Sequence, residues 1–513
     1  MMWKSEKYMV KKGFAKRLLL ALWLAATGLS LGGCMSQISE RPMIDLSHKA
    51  IEETAEGPLQ DGAQDRDEWF TLYFLNEDGV TLMPVTRRVT VQGGNSRAQA
   101  ALDALLAGPL ENEHGAFWPD LGASRSDRLL EVSGGVATVD LNAHARTLEQ
   151  QTLYAVRLAI ANTLTEFAEI SYVNVLVGGR EEGLDLSATL PVGTLTHADD
   201  SDVSARYTRL HEQRLSGEGV ALLTTLYFPS KDGTMILPEV RHVAYARVSP
   251  IEYLYTLLGE IGKGTSLPLC AEEIPAPLEY IKEMPEIVRT EDGYLAIELC
   301  FDRELEDDLL RSGMTMGIYM AMLSDTLMGF VPGVEGVKVS LGTDDVTKLS
   351  KEQTPDGREI VFEHGLATRN DFSGYVGAPV LLYVMKNDGI AARQHVLGQE
   401  HADDVRARLG ALMTLSDEHA FALPRGLDGD DILSAYAGTD VILVNLSDDF
   451  RRAMEKLSPE QERAAVYAMV NTLTEGTEAS QVQFFFEGAQ VSTLAGALEM
   501  RGTFVRNPGM VVN

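Results

Sequence analysis

The chain has 513 residues, 45% of them hydrophobic, which is enough apolar material for several globular cores. Its formal net charge is −31, from 75 acidic against 44 basic residues. That balance argues against nucleic-acid binding, which needs a cationic surface, and against simple adhesion to anionic lipid headgroups. It suits a soluble, self-repelling surface.

The start of the chain is basic. Lys4, Lys7, Lys11, Lys12, Lys16 and Arg17 precede an apolar run from Leu18 to Leu31, and Leu31-Gly32-Gly33-Cys34 follows. A basic region, an apolar core and small residues before a cleavage point make a secretory signal. The last four residues resemble the bacterial lipobox. The expectation is a leader over residues 1–33, lipid on the Cys34 thiol, and an extracytoplasmic protein held at the cell membrane. Residues 34–66 are polar and irregular and read as a flexible tether.

One block is then written three times. It opens Leu72-Tyr73-Phe74, Leu226-Tyr227-Phe228 and Leu382-Tyr383-Val384. An Asp-Gly turn follows at Asp78-Gly79, Asp232-Gly233 and Asp388-Gly389. Late in each block come Asn162-Thr163-Leu164, Asp325-Thr326-Leu327 and Asn471-Thr472-Leu473. A repeat this long means compact domains, not a solenoid of short units. The spacing predicts domains over 67–198, 219–348 and 379–513, with charged linkers at 199–218 and 349–378.

Within a block, Trp69 to Phe74 is aromatic-rich and β-like, and Thr81 to Val85 is a second strand with Pro84 marking an edge. Ala98, Ala101, Leu102, Leu105 and Leu106 recur at helical spacing and stop at Gly108-Pro109. A hairpin follows. Its second strand alternates as Ala137, Val139, Leu141, as Leu295, Ile297, Leu299, and as Ile442, Val444, Leu446. A second helix carries Ile160 and Leu164, Leu323 and Leu327, or Met469 and Leu473 on one face. A last strand holds Val173, Val175 and Val177 in block one; in block two the connecting loop differs by one residue. The predicted class is α+β: three tandem small domains, each a mainly antiparallel sheet with two helices packed on one face.

These residues resemble the GerM domain family, a sporulation and spore-germination module. Block one carries the family's strand as Leu72-Tyr73-Phe74, then Leu82-Met83-Pro84-Val85-Thr86-Arg87, Leu105-Leu106-Ala107-Gly108-Pro109 and Gly135-Val136-Ala137-Thr138-Val139-Asp140-Leu141. Block two keeps Leu237-Pro238-Glu239-Val240-Arg241. Block three has Ala391-Ala392-Arg393-Gln394 instead, so it is the diverged copy, and it ends Phe504-Val505-Arg506-Asn507-Pro508-Gly509, similar to the family's closing segment. The family's usual arrangement has two such domains, so a third is a departure. The resemblance implies an envelope lipoprotein without known catalysis.

Several residues bear chemistry worth weighing. Asp140 aligns with Glu298 and Asn445, and a catalytic carboxylate cannot become an amide, so a capping role is expected. Arg87 and Arg241 could pair with acids or bind an anion. Gly259-Glu260-Ile261-Gly262-Lys263-Gly264 only faintly resembles a phosphate loop, lacking Gly-Lys-Ser/Thr. Asp428-Gly429-Asp430-Asp431 lacks calcium-loop spacing. Cys270 and Cys300 are candidates for a disulfide or for two buried thiols. Met314, Met316, Met320 and Met322 suit a core or a plastic interface. No cofactor, metal or catalytic motif emerges.

Three functions remain in play. The first is a non-enzymatic scaffold acting on envelope or sporulation proteins. The second is a peptidoglycan- or solute-binding lipoprotein. The third, a cell-wall or cortex hydrolase, has no motif behind it.

Overall fold

Alternating apolar residues make each block open on a long hairpin. In a computed structural model, which describes residues 56–122, 128–184, 190–199, 201–216, 219–386, 389–418 and 423–512, a short strand β1 (Gly62–Ala63) precedes β2 (Arg66–Asn76) and β3 (Leu82–Val91). Then come α1 (Arg97–Leu106), β4 (Ala116–Phe117), β5 (Leu130–Ser133), β6 (Val136–Leu141), α2 (Gln150–Leu164) and β7 (Tyr172–Val177). Helix α3 (Val203–Ser216) leads into block two: β8 (Val220–Pro229), β9 (Ile236–Tyr245), α4 (Pro250–Gly262), α5 (Pro277–Tyr280), β10 (Glu286–Arg289), β11 (Leu295–Phe301), α6 (Glu304–Arg311), α7 (Met316–Met328), β12 (Gly336–Leu341) and β13 (Asp344–Asp345). Strands β14 (Lys348–Leu349) and β15 (Ile360–Val361) follow. Block three has β16 (Gly377–Lys386), β17 (Gly389–Gly398), α8 (Val405–Glu418), β18 (Ile432–Ala437), β19 (Val441–Leu446), α9 (Asp448–Met454), α10 (Pro459–Thr474), β20 (Gln481–Phe486) and β21 (Phe504–Val505).

The α+β class holds, and most pairings are antiparallel. Each block, however, splits into two small sheets. One is the opening hairpin: β2–β3, β8–β9 and β16–β17. The other is a second hairpin whose central strand also pairs with the last strand, and that pairing is parallel: β6–β7, β11–β12 and β19–β20. A helix lies between the two strands in sequence, so the chain crosses over and re-enters in the same direction. Polar caps start several helices. Ser96 accepts from Gln99 N, Thr315 from Ile318 N, and Ser458 forms a capping box with Gln461 ahead of Pro459.

The blocks do not stand apart. Residues 57–513 form one compact unit. Blocks one and two share a continuous hydrophobic core, while most of block three has its own. Helix α7 is buried along its whole length, methionines included, which makes Met316, Met320 and Met322 core; Met314, just before it, is buried too. The one-residue loop difference before the last strand of block two holds: Val337 sits where Val173 sits.

Two stretches expected to be linkers are built into the fold. Residues 199–218 hold α3, which packs on α2. Within 349–378, Ala367 pairs with Val337 at the edge of β12, and Arg369 is buried. The end of the expected tether is ordered as well, because residues 57–63 lie along block three. The leader and Cys34 lie outside the described residues.

The structure also corrects one alignment. Strand register places Leu141, Phe301 and Leu446 at equivalent ends of β6, β11 and β19, opposite Val177, Leu341 and Phe486. The block-two counterpart of Asp140 and Asn445 is therefore Cys300, not Glu298. Alternation has period two, so a two-residue slip preserves the apolar pattern and cannot be seen in it.

Candidate functional site

The repeated residues have structural tasks. In a two-stranded hairpin, every other amide of an edge strand lacks a ladder partner. The Tyr73, Tyr227 and Tyr383 amides are such groups, and each donates to a threonine of the second helix: Thr163 (2.9 Å), Thr326 (3.0 Å) and Thr472 (2.9 Å). The opening Tyr and the late Thr are thus two ends of one hydrogen bond. Pro84 and Pro238 lie opposite Tyr73 and Tyr227, at positions where a missing N–H costs no ladder bond.

The late Asn closes the block. Asn162 donates to Ala198 O and accepts from Ala198 N, and Asn471 does the same with Asn507. Asp140 accepts from Gly179 N at 2.7 Å, and Asn445 from Gly488 N at 2.8 Å, which gives both the capping role expected. Asp78 caps its turn through Val80 N and Thr81 N, Asp232 accepts from Thr234 N, and Asp388 lies outside the described residues. Asp428 caps a short 3-10 turn through Asp430 N.

Arg87 and Arg241 share a third task. Arg87 pairs with Glu113 and donates to Ala104 O and Gly108 O, and its guanidinium lies over the Phe74 ring. Arg241 pairs with Glu239, donates to Glu260 O and Gly264 O, and lies over Phe228. Each satisfies carbonyls at the C-terminal end of the following helix. The glycines of 259–264 therefore sit where carbonyls emerge, and the groove of 610 Å³ beside them is lined by Glu272, Glu273, Glu279 and Asp308. Lys263 and Arg311 also line it, so four acids against two bases leave a net negative surface that disfavours phosphate.

The outer face of each block's second sheet is used differently. In block one this face presents Glu131, Ser133, Thr138, Asp140 and Asn174, all buried. The block-two hairpin sits on it. Asn174 donates to Thr225 Oγ1 at 3.0 Å, Thr194 and Thr225 share a 2.8 Å hydroxyl contact, and the Tyr227 and Thr138 hydroxyls lie 3.3 Å apart. Burial pushes the Tyr227 hydroxyl up to about 12. In block three the same face is crossed by residues 57–63. In block two it is open: Glu298 and Lys338 pair at 3.0 Å with each side chain 34% exposed.

A buried ionic cluster locks blocks one and two together. Asp325 stands where the other blocks have Asn. It accepts from Arg369 Nε at 2.9 Å and from Arg128 Nη2 at 3.1 Å. Glu131 accepts from Arg128 Nε at 2.7 Å and Arg369 Nη2 at 3.2 Å. Two cations meet two anions, all nearly inaccessible. Burial raises the Glu131 carboxyl above its usual range, against the pull of both arginines. Arg128, Glu131 and Arg369 have no repeat signature; the acid at position 325 was the sequence signal that a cation must face it.

A second buried pair lies close by. Glu181 accepts from Val192 N at 3.2 Å and faces Arg157 at 3.4 Å. Its backbone joins block two through Glu181 N to Met328 O and Gly333 N to Glu181 O. Burial pushes its carboxyl up to about 7, with Arg157 opposing. Arg157 Nε and Nη2 are buried without hydrogen-bond partners.

Cys270 and Cys300 are both free, so the bridge considered from the sequence is absent from this structure. Cys270 is buried near Phe228 O, and burial pushes its thiol up to about 12. Among the described residues no group of three or more His, Cys, Asp or Glu is placed to hold a metal, and no helix is long and apolar enough to cross a membrane. The cavity among Thr138, Asn174, Thr225, Tyr227, Asp325 and Arg369 measures 10 Å³, about the least that admits one water.

Residues 71–183 and 382–492 match the Germane family model, described as sporulation and spore germination. The matched stretches are block one and block three, the copy expected from the sequence to be diverged, and block two lies between them. No curated protein matches the chain. Among solved structures, the tandem GerMN domains of the sporulation protein GerM from Bacillus subtilis are similar at 15% identity, with a TM-score of 0.23, covering 59% of this chain and 99% of that one. A protein from Clostridium perfringens assigned as a lipoprotein is similar at 18% identity, with a TM-score of 0.18, covering 26% of this chain and 87% of its own.

Proposed function

We propose that the protein is a non-enzymatic scaffold of sporulation or spore germination, held outside the cytoplasm by lipid on Cys34 and acting through protein–protein contacts. The observation that carries this reading is the use made of the sheet faces. Two of three are already covered by other parts of the polypeptide, and the third, in block two, is open. The block-one hairpin also leaves Trp69 69% exposed on its outer side. Such faces suit envelope or sporulation proteins as partners. The Germane match supports the developmental setting, because that family is described by a process and not by a reaction.

Block two is read as a diverged copy of the same domain. Its support is the shared pairing order, two antiparallel hairpins and one parallel pair, together with the Tyr227–Thr326 bond. The peptidoglycan- or solute-binding alternative gains no support where blocks one and two meet, because the cavity there, at 10 Å³, is too small for a sugar.

Deleting the gene and scoring spore yield and germination kinetics tests the role; wild-type behaviour in both would refute it. Cys34→Ala should move the protein from membrane to soluble fractions and abolish fatty-acid labelling. Retention of either property would refute the anchor.

A further inference from the structure

We propose that block three carries a peptide-binding groove whose ligand is the chain's own segment Gly57–Ala63, bound in cis as an extended strap. The groove crosses the outer face of the β18–β19–β20 sheet, equivalent to the block-one face that receives a hairpin, and ends at the free edge of β18, where β1 adds as a parallel strand. The strap differs from that hairpin in being short and recognised through its backbone and one carboxylate.

Each contact selects a feature of the peptide. Gly57 N donates to Gly488 O at 2.9 Å, and a Cβ at this position would lie 2.8 Å from Phe485 Cβ, so only glycine fits. The Pro58 carbonyl accepts from Ser434 Oγ and from Asn445 Nδ2. Asp61 Oδ1 accepts from Ala435 N at 2.8 Å, beside the register shift between Ile432 and Ser434 in β18, and its carboxylate faces Arg406 at 3.3 Å. Gly62 lies over the Tyr436 ring, where a Cβ would come within 3.2 Å. Gly62 and Ala63 then run parallel to Tyr436 and Ala437, and Gln64 N donates to Ala437 O at 2.9 Å. Leu59, the strap's large apolar side chain, is 84% exposed, so side-chain burial does not hold the segment down. The ligand class is an extended peptide with glycine at its first and sixth positions and aspartate at its fifth. Because β2 starts at Arg66, an occupied groove ties block three to block one.

The test uses the chain from residue 35 onward with residues 57–63 deleted, and a fluorescent peptide of residues 56–65. Saturable binding to the deleted chain is expected, at least tenfold tighter than to the intact chain, whose groove is filled. Gly57→Val or Asp61→Ala in the peptide should weaken binding tenfold or more. Equal binding to both chains, or indifference to both substitutions, would overturn the proposal. Should the deleted chain fail to fold, hydrogen exchange in the full chain decides. Asp61→Ala should speed exchange at Ala435 and Gln64 at least tenfold while leaving β6 unchanged, and unaltered exchange at Ala435 would overturn the groove.

Discussion

Asp325→Asn restores the residue found in the other two blocks, yet it should destabilise the protein. The side chain is 0% exposed and faces Arg369 (2% exposed) and Arg128 (4% exposed), with Glu131 completing a neutral set of four. Asparagine keeps an oxygen for Arg369 Nε but removes one of two negative charges. Its amide nitrogen would occupy the position of Asp325 Oδ2, which has no hydrogen-bond partner. Breaking a buried ion pair from one side costs about 3–5 kcal/mol, and the retained acceptor puts this case near 3. For a cooperative unit spanning residues 57–513, unfolding entropy is roughly 1 kcal/mol/K, so the apparent Tm should fall by about 3 °C. Arg369→Met alone strands charge of the opposite sign. The double variant leaves Arg128 paired with Glu131 and should be about 2 kcal/mol more stable than additivity predicts. Thermal and urea unfolding of the four proteins measure the cycle. A single variant within about 0.5 kcal/mol of wild type, or strict additivity, would refute the charge argument.

Three further outcomes follow from the same geometry. Thr163→Val, Thr326→Val and Thr472→Val should each cost about 1–3 kcal/mol in urea unfolding by leaving a Tyr amide without its acceptor, with the fully buried Thr326 and Thr472 bonds above the part-buried Thr163 bond. Burial pushes the Glu181 carboxyl from its ordinary 4.5 up to about 7, so the folded state binds the extra proton between those values. Its contribution to stability is therefore fully present below pH 4.5 and is lost as pH rises toward 7, by about 3 kcal/mol. Subtracting the Tm–pH profile of Glu181→Gln from that of wild type should reveal this slope, and a difference that rises with pH would contradict it. Cys270 should resist iodoacetamide at pH 8 in the native protein, while half-buried Cys300 reacts first, as read by mass spectrometry of labelled peptides.

Much of the fold was legible because local rules agree with it. Alternation located the strands, helical spacing located the first helix of block one and the second helix of each block, and Asp-Gly steps marked turns. Less was legible where partners are remote in sequence. The parallel pairing of β6 with β7 leaves no trace in either strand's pattern. Arg369 lies in a stretch whose polar composition reads as linker, and only tertiary packing buries it. Residues 57–63 have a tether's composition too, because a peptide held through its backbone needs no apolar side chains.

Taken alone, the amino-acid sequence determined the α+β class and the structural character of the repeated Tyr, Thr and Asn, and it set the expectations of a tripled domain and of a leader before Cys34. These are short-range or periodic properties, written in neighbouring residues. The tertiary structure decided what those properties could not: that Cys300 and not Glu298 matches Asp140, that blocks one and two share a core locked by Arg128, Glu131, Asp325 and Arg369, and which sheet faces are covered. Those outcomes depend on contacts between residues up to several hundred positions apart, where burial fixes register and pairs charges that no local pattern records.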